Sequence, residues 1–144
     1  MSDPGRCPEP LVRFVDLVNR GEYWESHEVL EDAWRATGSE VYHGLILYAS
    51  AFVHARRGTP YGIEAQLAKA EAALADRPAT YLGLDLDAIR EHARQTRRRV
   101  EDRRRGRTAD RDVDWTDVVE FPRLTLEPER VRGDEPELEA GGPC

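Results

Sequence analysis

Residues 39–57 have almost no polar face. On a helix turning 100° per residue, Val41, Leu45, Ala49 and Phe52 fall on one side, Leu47, Tyr48, Ala51 and Ala55 on another, and Ile46 and Val53 on a third. A helix that is apolar nearly all round has to be covered by its neighbours, so it belongs in the middle of a bundle. It does not belong in a bilayer: no apolar run in the chain reaches the roughly 18–20 residues of a membrane span. Ser39 is placed to cap this helix, and Gly58 ends it after two arginines that suit a helix C-terminus. Gly44 sits in its first half, where glycine costs roughly 1 kcal/mol against alanine. It either lets another helix come close or is simply tolerated.

The remaining helices arrange themselves around that one. Leu11, Phe14, Val15 and Val18 recur at spacings of three and four and predict a helix over 10–20, stopped by Gly21. A second fits 22–36, with Gly38 as breaker. Thr59-Pro60 opens a fourth in cap-then-proline order, running to about residue 76. Residues 77–86, with Pro78 and Gly83, read as a connector. Asp87 is expected to cap a fifth helix over 88–105, closed by Gly106. Beyond it lie Pro122, Pro128, Pro136, Pro143 and Gly141-Gly142. Residues 118–121 and 124–126 are expected as short extended pieces lying across the helical body, since Pro122 interrupts any sheet. The reading is therefore all-α: a compact bundle of about five helices with an irregular, acidic C-terminal extension. Its parts are a flexible leader (1–9), a helical domain (10–107) and a Pro-containing extension (108–144). At 144 residues the chain makes one domain with a substantial core.

Charge sharpens the function classes. Charged residues make up 34% and hydrophobic ones 40%, which excludes a membrane protein and a fully disordered one. Residues 1–10 are polar and Pro-rich, unlike a signal peptide, so a cytoplasmic protein is expected, with Cys7 and Cys144 as thiols. The net charge of -7 is segregated: residues 1–86 carry -5, residues 87–107 carry +5, and residues 108–144 carry -7. The basic stretch holds Arg94, Arg97, Arg98, Arg99, Arg103, Arg104 and Arg105, with Arg107 just beyond. Such a helix can bind an RNA phosphate backbone. It lacks interleaved aromatics, however, and a solvated face or pairing with the chain's own acids is the favoured explanation. The acidic extension lying on the arginine helix is one such pairing.

The second helix carries the chemistry. Leu30, Tyr23, Trp34, His27, Glu31 and Trp24 fall within one arc of about 120°. His27 and Glu31 are thus expected inside an apolar stripe, as i,i+4 neighbours whose side chains meet. Burying an imidazole and a carboxylate costs several kcal/mol unless they pair or bind something. Three outcomes are open: a structural hydrogen bond, a metal site, or acid–base work in which Glu31 orients His27. The second and third helices are joined by a short turn, so they should run antiparallel. That puts His54 level with Trp24 and His27, and His43 nearer Trp34. His27, Glu31 and His54 would then make a two-histidine, one-carboxylate set for a divalent transition metal. His92, on the basic fifth helix, is expected at the surface.

His27-x-x-x-Glu31-x-x-Trp34, preceded by Gly21-Glu22-Tyr23-Trp24-Glu25-Ser26, resembles the HxxxExxW hallmark of the domain-of-unknown-function family numbered 309. Gly44-Leu45-Ile46 with the alanine-rich stretch to His54 is similar to that family's second block, and Arg57-Gly58-Thr59-Pro60-x-Gly62 to its third. The resemblance covers about residues 10–100 and implies a small, mainly helical protein. The family often has glutamine where His43 stands, which leaves His27, Glu31, Trp34 and His54 as the matched polar and aromatic set.

The sequence thus predicts a small cytosolic helical protein with a buried His27–Glu31–Trp34 cluster flanked by Trp24 and His54, structural or binding a small ligand. Two alternatives stand beside it. One is a metal-dependent, hydrolase-like enzyme using His27, Glu31 and His54; the other is RNA binding by the arginine helix. A membrane partner is not expected, and a homo-oligomer is left open.

Overall fold

A computed structural model describes residues 7–106 and 113–140. Residues 1–6 of the leader, Arg107 and Cys144 lie outside the described residues. Five long helices follow in order: α1 (Glu9–Asn19), α2 (Tyr23–Thr37), α3 (Glu40–Arg57), α4 (Pro60–Leu74) and α5 (Leu86–Arg105). A two-stranded antiparallel hairpin, β1 (Thr80–Tyr81) and β2 (Leu84–Asp85), precedes α5. Two four-residue helices, α6 (Trp115–Val118) and α7 (Glu137–Ala140), and a 3-10 turn at Pro128–Arg130 punctuate the extension. The protein is all-α, and its only sheet among the described residues is this small hairpin. No helix there is long and apolar enough to cross a membrane.

The central helix is α3, with α2 and α4 packed against it, α1 against α2, and α5 against α4. Ten of its 18 residues are buried, while the arc of His43, Leu47, Ser50, His54 and Arg57 is partly or fully exposed. Ser39 caps it, accepting the Tyr42 N–H at 3.1 Å. Gly44 proves to be a point of close approach. A β-carbon there would lie 2.7 Å from Leu74 Cγ and 3.2 Å from Ala73 Cβ, both on α4.

Two caps differ from the sequence reading. Asp85, not Asp87, caps α5, accepting the Ala88 N–H at 3.0 Å, so the helix starts two residues early. Thr59 stands at the α4 N-cap, but its hydroxyl bonds His54 and leaves the helix uncapped. The connector hides the hairpin, whose tip places Leu82 and Gly83 at positive φ (51° and 80°). Cys7 and Pro8, read as flexible leader, are buried.

The extension lies across the body, as its interrupted pattern implies. Trp115, Val119, Leu124 and Val131 are buried. Its acidic end does not lie on the arginine helix. Glu135 and Glu137 are 2% and 3% exposed and reach the hairpin and the start of α3 instead. Glu137 accepts the Ser39 hydroxyl at 2.6 Å and the Tyr81 hydroxyl at 2.8 Å. Glu135 accepts the Leu82 N–H at 2.9 Å, fixing the left-handed hairpin tip, and the Gly133 N–H at 2.9 Å. A buried carboxylate is tolerable only with such partners.

His92 is half-buried, not a surface residue. It stacks on Phe52, with centroids 5.8 Å apart and planes 17° apart. Nε2 lies 2.7 Å from the Glu120 carbonyl, which can only accept, so Nε2 carries the proton. Nδ1 is then a lone pair and accepts the Tyr48 hydroxyl at 2.6 Å. This neutral ring joins α3, α5 and the extension. Burial holds its pKa below the ordinary value, opposed by the Glu120 carbonyl and aided by Arg99.

Two predictions follow from the packing. Gly44→Ala should gain about 1 kcal/mol of helix propensity yet lose stability overall, by about 1–3 kcal/mol from overpacking against Leu74, in a urea titration. The unfolded chain takes up the His92 proton near 6.5 and the folded chain only below that. Stability should therefore fall as pH drops below about 6.5, where the unfolded state binds more protons. His54, whose pKa burial and Arg57 also lower, adds to the same slope. Gln at position 92 supplies one donor and one acceptor without titrating, so His92→Gln should flatten that slope in denaturant titrations across pH.

Candidate functional site

The buried face of α2 is Tyr23, Ser26, Leu30 and Ala33. It is rotated by about 80° from the aromatic-rich arc, because two small residues, Ser26 and Ala33, point inward in place of the larger ones. Ser26 is accommodated by donating its hydroxyl to the Tyr23 carbonyl at 2.7 Å. His27 and Glu31 therefore sit on the flank of the helix, with side chains 24% and 27% exposed, and the expected buried pair is half-buried. Trp24 is 50% exposed.

Contacts within this seam are specific. His27 Nε2 and Glu31 Oε2 are 3.3 Å apart, and Arg35 pairs with the other Glu31 oxygen. This makes an i,i+4 ladder of three residues along α2. Trp24 meets the His27 ring at 5.4 Å with planes 60° apart, and the Arg57 guanidinium lies 5.9 Å above the Trp24 ring. His27 Nδ1 is buried and has no hydrogen-bond partner among the described residues. That favours the Nε2–H tautomer, which leaves only a lone pair at Nδ1 and keeps the donor on the carboxylate.

Trp34 goes elsewhere. It stacks face to face on His43, centroids 4.3 Å apart and planes 3° apart. Glu40 lies 3.9 Å from the His43 ring. The antiparallel geometry thus places His43 beside Trp34 as expected. His43, outside the matched polar set, joins α2 to α3 at this end.

At the other end of the pair the levels also agree, with Arg56 reaching the Gly21 carbonyl and Arg57 reaching Trp24. His54 does not join them. Its Nδ1 is 2.8 Å from the Thr59 hydroxyl, and the ring lies so close over Gly62 that a β-carbon there would be 2.2 Å from Nδ1. His54 therefore serves the α3–α4 turn. Among the described residues, no group of three or more His, Cys, Asp or Glu side chains is placed to hold a metal ion. A cleft of about 370 Å³ opens near the start of α3, walled by Thr37, Ser39, Val41, Arg77, Tyr81 and Glu137. Neither His27 nor His54 lines it.

The arginine helix is engaged by its neighbours. Arg97 and Arg104 form two-point pairs with Glu71 and Glu64 of α4, at 2.5 and 3.1 Å and at 2.5 and 3.0 Å. Arg94 pairs with Glu91, and Arg105 with Glu101 at 2.9 Å. Arg98 and Arg99 are exposed, and Arg103 is half-buried.

Sequence reasoning missed His92, Glu135 and Glu137. For His92 a signal existed: it flanks the buried stripe of Leu86, Ile89, Ala93, Thr96 and Val100. For the two glutamates there was none, since nothing local separates them from the other acids of the extension.

No curated protein and no solved structure matches the chain. All three motif blocks lie inside residues 11–65, which span α1 to the start of α4. Over these residues the chain matches, and is similar to, the family described as Domain of unknown function (DUF309).

Proposed function

We propose that the chain is a non-catalytic helical binding module in which His27, Glu31 and Trp34 hold α2 in place, while the Trp24 side of the same helix faces a small ligand. The observation that carries this is the division of labour along α2. Trp34 is committed to its stack on His43. Glu31 is shared between His27 and Arg35. What stays accessible is Trp24, packed against the His27 ring and with the Arg57 guanidinium above it. A half-exposed indole beside a guanidinium suits a flat ligand.

The metal-enzyme reading with His27, Glu31 and His54 has less support, because His54 is hydrogen-bonded to Thr59 in the α3–α4 turn. RNA binding by α5 also has less support. The guanidinium forks of Arg97 and Arg104, the geometry a phosphate would use, already hold carboxylates.

Two measurements test the proposal. A double-mutant cycle on Trp34→Ala and His43→Ala should give a coupling of about 1 kcal/mol, the usual worth of a stacked pair; additive losses would remove the structural role. Thermal melts with zinc and with a chelator should coincide for the wild-type chain. A zinc-dependent rise in Tm that disappears in His27→Ala would reinstate the metal site.

A further inference from the structure

Residues 119–127 rest on the helical body in the manner of a bound peptide. The segment has no regular secondary structure. Val119, Pro122 and Leu124 are buried, while Glu120, Arg123 and Thr125 face outward. The Phe121 ring stacks on Tyr23 at 5.6 Å and 14°, meets Phe52 at 5.8 Å, and lies under the Arg56 guanidinium at 5.5 Å.

What holds the segment is directed at its main chain. Asn19 reads both polar groups of Leu124: its Nδ2 donates to the carbonyl at 2.8 Å, and its Oδ1 accepts the N–H at 2.7 Å. His92 donates to the Glu120 carbonyl at 2.7 Å. The Glu127 N–H donates to the Gly83 carbonyl at 2.8 Å. Gly83 is also shaped for this approach, because a β-carbon there would lie 2.6 Å from the Glu127 carbonyl oxygen. Beneath Leu124 and Glu127 a cleft of about 250 Å³ remains against Ile89.

Main-chain hydrogen bonds supply affinity without reading sequence, and side-chain pockets at intervals supply specificity; peptide-recognition sites are built this way. Of the groups that hold the segment, Asn19, Tyr23, Phe52 and Arg56 lie within the matched residues 11–65, while Gly83 and His92 lie outside them, as does the occupant. Seat and occupant thus come from different parts of the chain.

We propose that Asn19, Tyr23, Phe52, Arg56, Gly83 and His92 form a groove for an extended aromatic-Pro-x-Leu segment of a partner protein, with residues 119–127 occupying it in cis. This goes beyond the function proposed above and uses none of His27, Glu31 or Trp34. A second copy of this chain is the weaker occupant, since its own segment is already seated and exchange creates no new contact. A partner segment has to displace the cis segment and takes over its contacts. The cis segment acts as a competitor at high effective concentration, so the partner binds once it is released.

The test uses the full-length chain with Phe121→Ala and Leu124→Ala, which loosen the occupant but leave the groove intact. The probe is a fluorescent peptide with the sequence of residues 113–130, followed by anisotropy. The loosened chain should bind it roughly a hundredfold more tightly than the wild type, whose cis segment competes. Asn19→Ala on the loosened background should abolish that gain. Equal binding by the folded loosened and wild-type chains would overturn the proposal. So would dimers of the loosened chain formed by segment exchange without peptide binding. Should the loosened chain fail to fold, hydrogen exchange on the wild type decides. Leu124 and Glu127 amides exchanging well before those of Leu45 and Tyr48 would support release of the segment. Exchange of all four together would overturn it.

Discussion

Because α3 presents apolar side chains in nearly every direction, each sector of its surface has to be covered by another element. On one side α2 is held by the Trp34–His43 stack. On another α4 comes close enough that Gly44 has no room for a side chain. A third sector, around Tyr48 and Phe52, is reached by none of the first four helices in full. It is closed by His92 from α5 and by Phe121 from the extension. The irregular C-terminal chain is therefore part of the enclosure that an all-apolar helix demands, and its placement follows from the composition of residues 40–57.

The polar groups inside this enclosure are few, and they sit where separate parts of the chain meet. His92 joins two helices to the extension. Glu137 ties the last described helix to the cap of α3 and to the hairpin. Glu135 secures the hairpin tip at Leu82. Hydrophobic burial is non-directional and would tolerate several positions of a long irregular segment. Paired polar groups accept only one, because any slip leaves a buried charge or donor unsatisfied.

The five long helices were legible in the sequence, and four of them are marked twice, by a 3.6-residue apolar period and by a glycine stop. The four-residue α6 and α7 are too short to show a period. Gly21, Gly38, Gly58 and Gly106 all lie at or just past helix ends. The hairpin was not legible, since a two-residue turn is recognised by Asn-Gly or Asp-Gly and here it is Leu82-Gly83, with a buried leucine made tolerable by Glu135. For the candidate site, the i,i+4 meeting of His27 and Glu31 and the proximity of His43 to Trp34 follow from periodicity and antiparallel packing. The degree of burial did not follow. The wheel weighs large side chains most, but the inward face of α2 uses Ser26 and Ala33. His54 was misplaced for a related reason. Its level along α3 is set by the turn, but its ring fills the space that Gly62 of α4 leaves open.

The grip on the extension's main chain has a consequence for its charge. Asn19, His92 and Gly83 hold residues 120, 124 and 127 by carbonyl and amide groups that every residue but proline supplies in full. Outward positions such as Glu120, Arg123 and Thr125 are consequently free to change sign without loosening that hold. The extension carries the whole excess negative charge of the chain, and at such outward positions charge governs colloidal repulsion and encounter rates rather than the fold. Substitution can therefore retune how this protein meets other macromolecules by altering a surface that its own architecture does not read.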